Sequence, residues 1–291
     1  MSSLLIPTEI SYFPGCSLAS SSYEGKVPLD YLFSHLGINL VELDDWNCCG
    51  SSSAHSIDTG VAHDLASRNL SLVPEGKPLM AACPNCLLRL KTAHIHIREN
   101  KKLRTEYERK WGVPFNENLE IHHFYYYLEK IDLKAQFEDK KDSLKGLVYV
   151  PYNGCMLSKP PLLNNKKSYY GLVEKILSAF GAEPLRWRYA SQCCGTFLSA
   201  TNPEIVTPMV NNIIDGAIKA GADCIITACA MCQMNLELRC NLKQKIPVMH
   251  FSEIMAIALG LGKKEHDNWF SRHLINPKPF LKVRDLLTHR V

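Results

Sequence analysis

The residues of this 291-residue chain best equipped for chemistry are its cysteines, and ten of the twelve fall into two ordered sets. Cys16, Cys48, Cys49, Cys83 and Cys86 form the first, and Cys155, Cys193, Cys194, Cys229 and Cys232 the second. Counted in intervening residues they read C-x31-C-C-x33-C-x2-C and C-x37-C-C-x34-C-x2-C. Five cysteines in the same order, twice, mark an internal duplication. The flanks agree: Tyr12-Phe13-Pro14-Gly15-Cys16 answers Tyr149-Val150-Pro151-Tyr152-Asn153-Gly154-Cys155, and Cys48-Cys49-Gly50 answers Cys193-Cys194-Gly195. Cysteine is too sparse here for a disulfide scaffold, and thiols inside a cell stay reduced, so ligation or redox chemistry is expected. A structural zinc takes four ligands in a tetrahedron, and each set offers five sulfurs. Adjacent cysteines also diverge on an extended backbone, so both reach one group only through a turn or across well-separated metal atoms. An iron–sulfur cluster demanding more ligands than a four-cysteine cubane fits this best. Zinc in one or both sites, or a thiol-only pair exploiting a strained vicinal disulfide, are the alternatives.

The elements that must position these thiols alternate. Apolar runs at Ile10 to Phe13, Ile38 to Leu43, Pro78 to Ala82 and Leu119 to His122 read as strands, with helical patterns around Leu29 to Leu36, Val61 to Leu72 and Leu87 to Ala93. The second half repeats this order with Gly146 to Val150, Leu172 to Phe180, Pro184 to Trp187, Val206 to Ala220, Cys224 to Ala228 and Ile246 to Met249. Two open α/β sheets follow, with the cysteines where strands have just ended, the edge at which parallel sheets bind ligands. Gly15, Gly50, Gly154 and Gly195 permit tight turns beside a bulky group. The helices after Cys86 and Cys232 would aim their first amides at it, favouring thiolate. The seam should lie in the charge-dense stretch Asp132 to Lys145.

Composition narrows the remaining classes. The net charge is +4, and Lys263 to Val291 alone holds seven basic and three acidic residues, so the body is neutral. Nucleic-acid binding is not expected without a basic stripe on the body. That tail, with Trp269, Ile275, Phe280 and Leu281 among its charges, reads either as an arm for another protein or as a solvated helix. No apolar run is long enough for a membrane span, the longest being Ile254 to Leu261, and Met1 to Glu9 lacks the features of a secretory leader. No GxGxxG or phosphate loop appears, so flavin or nucleotide is assigned to a partner. Cys224 and Cys240 read as buried small residues rather than ligands. His123 and His250 end corresponding strands; they read either as proton donors to departing thiolates or as satisfied structural histidines. Tyr125, Tyr126 and Tyr127 read as one helix face on the sheet, and Arg98 to Lys110 as a solvated face or a docking surface.

The duplicated pattern with Cys-Cys-Gly at its centre resembles the CCG domain found in the B subunit of heterodisulfide reductase, from Tyr12 to the tail. The resemblance implies two tandem Rossmann-like domains related by a pseudo-twofold, residues 1–138 and 142–262, with a basic tail over 263–291 packing on the body or on a partner. It implies two noncubane [4Fe–4S] clusters, one on Cys16, Cys48, Cys49, Cys83 and Cys86, the other on Cys155, Cys193, Cys194, Cys229 and Cys232. The expected function is the catalytic iron–sulfur subunit of a cytoplasmic heterodisulfide reductase-like complex. A small disulfide held between the two clusters would take one electron from each and leave as thiols. The expected partners are a ferredoxin protein like the C subunit of such complexes and a flavoprotein like their A subunit. An electron-transfer subunit of a succinate, lactate or glycerol-phosphate dehydrogenase is the alternative within the family, and a zinc-binding structural module the alternative outside it.

Overall fold

The computed structural model describes residues 6–51, 54–158 and 169–287, so Met1 to Leu5 and the last four residues of the tail lie outside it. The first half runs β1 (Glu9–Phe13), α1 (Cys16–Ala19), α2 (Tyr23–His35), β2 (Asn39–Glu42), α3 (Ala54–Ile57), α4 (Thr59–Ser71), β3 (Leu79–Ala81), α5 (Pro84–Glu99), α6 (Lys101–Trp111), β4 (Ile121–His122), α7 (Phe124–Leu128) and α8 (Leu133–Gln136). The second runs β5 (Val148–Tyr152), α9 (Gly154–Ser158), α10 (Leu172–Ser178), β6 (Glu183–Pro184), α11 (Pro203–Lys219), β7 (Cys224–Thr227), α12 (Ala230–Arg239), β8 (Val248–His250) and α13 (Phe251–Leu259), with α14 (His266–Phe270) and α15 (Lys278–Val283) in the tail. Strand orders β2-β1-β3-β4 and β6-β5-β7-β8 are the same order, and every pairing is parallel. The duplicated α/β architecture expected from the cysteine pattern is therefore present.

Local sequence explains the elements. Ile10 to Phe13 and Cys224 to Thr227 are buried throughout, as central strands covered on both faces must be. Pro84 and Pro203 open α5 and α11, where a missing N–H costs nothing. Asp58 caps α4 by accepting from Val61 N–H, and His250 and Glu253 form a capping box on α13. The apolar stretch Pro184 to Trp187 is strand only at Glu183–Pro184, on the sheet edge, where a proline costs no ladder bond. Leu185 and Trp187 turn into the second-half core instead. Asn100 divides the charged run by capping α6, which is exposed apart from Tyr107 and a few half-buried residues.

Three consecutive tyrosines do not share one helix face, because successive residues are about 100° apart. Tyr125 and Tyr127 are buried, whereas Tyr126 stacks on His122 with ring centroids 3.5 Å apart. Each half has an apolar cluster of its own, and a third is shared. One apolar cluster joins Ile10, Phe33 and Tyr125 of the first half to Tyr149, Phe251 and Ile254 of the second, and α2 lies against α13. Gly25 permits that approach: a Cβ there would stand 3.0 Å from the His250 ring, and Ser252 Oγ donates to Gly25 O at 2.7 Å.

The tail is not a free arm. Trp269, Phe270, Leu281 and Leu286 are buried in the shared core. His273 lies fully buried between Glu237 (3.1 Å) and Glu253 (2.9 Å), and Arg272 pairs with Glu24 of α2. Gln233 donates to both Glu24 and Glu253, so the network ties the tail to both halves. Burial raises Glu24 to about 7, with Glu253 adding to the rise. The basic excess of the tail therefore reflects surface positions of a packed segment.

A packed tail makes Leu281→Ala cost about 2–5 kcal/mol in urea unfolding, whereas a solvated arm would show almost no change. His273 provides a pH test. Burial alone would lower its pKa, but Glu253 and Glu237 raise it to about 11, above the ordinary 6.5. The charged ring thus stabilises fully below about pH 6.5, and that contribution is lost as pH rises towards 11. His273→Gln should lower the urea midpoint most near pH 6 and progressively less towards pH 10; an unchanging difference would rule out the charge.

Candidate metal centre

Cys16 opens α1, the Cys48-Cys49 pair follows β2, and Cys83 ends β3 and caps α5, with Cys86 in its first turn. Cys155, Cys193, Cys194, Cys229 and Cys232 stand at the corresponding places of the second half. The carboxyl edge of each parallel sheet thereby gathers thiols far apart in sequence. Each set has the same internal order. An outer, partly exposed pair comprises Cys16 with Cys48, sulfurs 3.7 Å apart, and Cys155 with Cys193. A buried inner pair comprises Cys49 with Cys86 at 3.1 Å and Cys194 with Cys232 at 3.5 Å. The fifth thiols, Cys83 and Cys229, are buried and stand close enough across the interface to perturb each other's ionisation, Cys83 being lowered and Cys229 raised.

The halves interlock around that contact. Helix α5 touches α9 and α1 touches α12, so each C-x2-C turn faces the other half's first cysteine turn. Ser22 Oγ donates to Ala230 O at 3.2 Å, and Asn85 Nδ2 approaches Met231 Sδ at 3.5 Å. Gly15 has φ of +77°, and a Cβ there would stand 2.9 Å from Cys86 Sγ; the equivalent distance from Gly154 to Cys232 Sγ is 3.5 Å. The glycines leave room for sulfur.

Asparagines that sequence reasoning passed over brace the loops. Asn69 and Asn235 are fully buried; Asn69 Nδ2 donates to Asn47 O at 2.9 Å, and Asn235 Nδ2 to Cys194 O at 2.8 Å. The signal was available, since each is a polar residue on the apolar face of a helix. His123 and His250 are fully buried caps of α7 and α13. His123 Nε2 lies 2.9 Å from Ala82 O, and His250 Nδ1 lies 2.7 Å from Ser252 Oγ. Burial pushes their pKa values down to about 3 and about 4. His123 is thus satisfied through Nε2, whereas His250 Nε2 is buried with no hydrogen-bond partner among the described residues. Cys224 and Cys240 are buried among apolar side chains, outside both sets.

Crowding sets the electrostatics. Hydrogen bonding from Cys16 holds Cys48 down to about 2, and Cys155 holds Cys193 down to about 6. The same contacts, with burial, raise Cys16 and Cys155. Five thiolates in one place need bound positive charge to offset them, which makes each set a receptive metal site. Among the described residues no three His, Cys, Asp or Glu side chains converge on one point as ligands of a single ion would. In the second set Cys155, Cys193, Cys194, Cys229 and Cys232 instead border about 300 Å³ of space free of protein atoms, part of it open to solvent. Soft donors around a shared space suit a group of several metal atoms. A larger groove, with about 2050 Å³ free of protein atoms and likewise open to solvent, lies at the opposite end of the first sheet, between Val73 and Phe115, and no cysteine lines it.

The cysteine-rich domain family CCG matches this chain twice, at residues 10–91 and 149–237. A Wolinella succinogenes protein named 8-methylmenaquinol:fumarate reductase membrane anchor subunit is 28% identical over 270 residues, covering 88% of this chain and 94% of its own. A protein of Archaeoglobus profundus named as similar to the B subunit of heterodisulfide reductase is 28% identical over 280 residues, covering 87% and 91%. The B subunit of the ferredoxin:CoB-CoM heterodisulfide reductase of Methanosarcina mazei is 25% identical over 271 residues, covering 87% and 90%. A crystal structure of a hypothetical protein from Helicobacter pylori shares the fold, with a TM-score of 0.70 at 13% identity over 93% of this chain and 52% of that one. Among the described residues no helix is long and apolar enough to cross a membrane.

The close glycine approach is testable without metal. Gly37→Ala, at φ +75° with nothing near its Cβ, should cost about 1–2 kcal/mol of backbone strain. Gly15→Ala should cost a further 1–3 kcal/mol, roughly, from the Cys86 contact. Equal urea midpoints would refute the packing.

Proposed function

Since the chain belongs to the CCG cysteine-rich domain family, we propose that it is the iron–sulfur subunit of an oxidoreductase complex, with one noncubane [4Fe–4S] cluster on each five-cysteine set. The observation that carries this is the meeting of two equivalent thiol arrays at one interface, where α5 lies against α9 and α1 against α12. Bound there, the clusters would take up and release single electrons. The chain's own part is to hold them close, with Cys49, Cys86, Cys194 and Cys232 buried and the outer pairs at the surface. The domains proposed are residues 1–138 and 142–262, closed by the packed segment from 263.

For the reaction itself, interconversion of a disulfide and two thiols follows from the relatives named after the B subunit of heterodisulfide reductase. The disulfide takes two electrons and two protons, and an S–S bond becomes two S–H bonds. With His123 and His250 enclosed in the fold, those protons come from solvent on the Cys16 and Cys155 side. A second reading, an electron-relay subunit of a fumarate reductase-type enzyme, is favoured by the Wolinella relative, matched over 94% of its length. In either case the proposed partners are a ferredoxin-like electron carrier and a flavoprotein.

Anaerobically purified protein should contain about eight irons with matching sulfide and little zinc; about two zincs and no sulfide would end the proposal. Cys49→Ser or Cys194→Ser should remove about half the iron, while Cys224→Ser and Cys240→Ser leave it intact. Disulfide reduction assayed with an artificial donor and the partner subunits separates the readings: full iron and electron transfer with no turnover selects the relay.

A further inference from the structure

The space bordered by the second cysteine set also holds two polar side chains with unmet hydrogen bonds. Asn153 and Asn85 are each only 3% exposed and line it beside the five thiols. Asn153 Nδ2 and Asn85 Oδ1 have no hydrogen-bond partner among the described residues. Asn153 is held firmly from behind: its backbone N–H donates to Ala190 O at 2.9 Å, and that of Gly154 to the same oxygen at 3.1 Å. A buried amide donor left unpaired is costly in a folded chain. The acceptors lining the same space are the thiol sulfurs and Asn85 Oδ1, and the two amides are not within hydrogen-bond distance of each other. Asn85 belongs to the first half, so the second site is complete only when both halves are present.

The first set is built differently at these positions. The residue preceding its turn glycine is Pro14, and the residue matching Asn85 between the last two cysteines is Met231. Neither side chain carries an N–H. Met231 instead packs against the apolar cluster around Cys49, Cys83 and Cys86. The unpaired donor beside that set is a hydroxyl, Ser51 Oγ, whose counterpart Thr196 donates to Met231 O at 3.5 Å. The inner amide at the turn glycine thus distinguishes the second set from the first.

We propose that Asn153 is a tuning residue of the second site, its Nδ2–H donating to a sulfur of the iron–sulfur cluster held there and stabilising the reduced form. This rests on the function proposed above. Reduction adds one electron from an external one-electron reductant, breaks no bond and moves no proton. The donor favours the more negative state and raises the potential of that cluster above its value without the bond. The two clusters of one chain are then unequal, and an electron entering the pair settles preferentially on the second.

The test uses the full chain, purified anaerobically, with Asn153→Leu removing the amide at similar size and Asn153→Ser keeping a shorter donor. Dithionite titration followed by electron paramagnetic resonance reads both midpoint potentials beside iron content. Unaltered protein without iron would end the functional reading before Asn153 is at issue. With iron present, Asn153→Leu should keep the full complement and lower one midpoint, leaving the other in place, with Asn153→Ser between. Two unmoved midpoints at full iron, or two that move together, overturn the proposal. So does loss of iron in Asn153→Leu accompanied by unchanged potentials in Asn153→Ser.

Discussion

Thiolates repel one another, and ten of them around one interface would drive a chain apart unless something else held it together. The structure meets that constraint by separating support from chemistry. Parallel strands, the central ones buried on both faces, lead to the cysteines, and the apolar cluster shared by the two halves lies behind them. The inner sulfurs belong to the smaller apolar clusters of each half, and the outer ones face solvent. Both kinds occupy turns whose backbones are fixed by glycine conformations, by buried asparagines and by the first turns of α5 and α12.

Much of this was legible because the informative signals are local or periodic. The order of five cysteines, repeated, carried the duplication; continuous apolar runs carried the central strands; and Gly15 and Gly154, each next to a first cysteine, carried the tight turns. What stayed hidden depends on neighbours distant in sequence. Basic residues after Lys263 say nothing of Trp269 and Leu281 lying in the shared core, because burial is decided by what the fold places opposite them. Asn69 and Asn235 stand out only as polar residues on apolar helix faces, and the loops they brace are seen only in the fold. The histidines were legible as a pair, since both end corresponding strands, but only their enclosure shows what they bond.

The buried ionic group around His273 belongs to the same logic. Glu237 and Glu253 lie on helices of the second half, Glu24 on a helix of the first, and the tail supplies the cations. Removing a single partner leaves a buried charge unpaired, which is far more costly than the pair is beneficial. The network therefore selects one arrangement of halves and tail, and with it one placement of Cys83 against Cys229.

The interlocking of the halves also bears on how the thiols come to be sheltered. Asn85 and Met231, which touch at the interface, are separated by 146 positions, and Leu281 and Leu286, which follow both cysteine sets in sequence, belong to the shared core. Until the second half has folded, the first five cysteines lack the neighbour that packs against them. The two thiol sets therefore gain their shelter together, and a first half without the second would leave its thiols more open to oxidation.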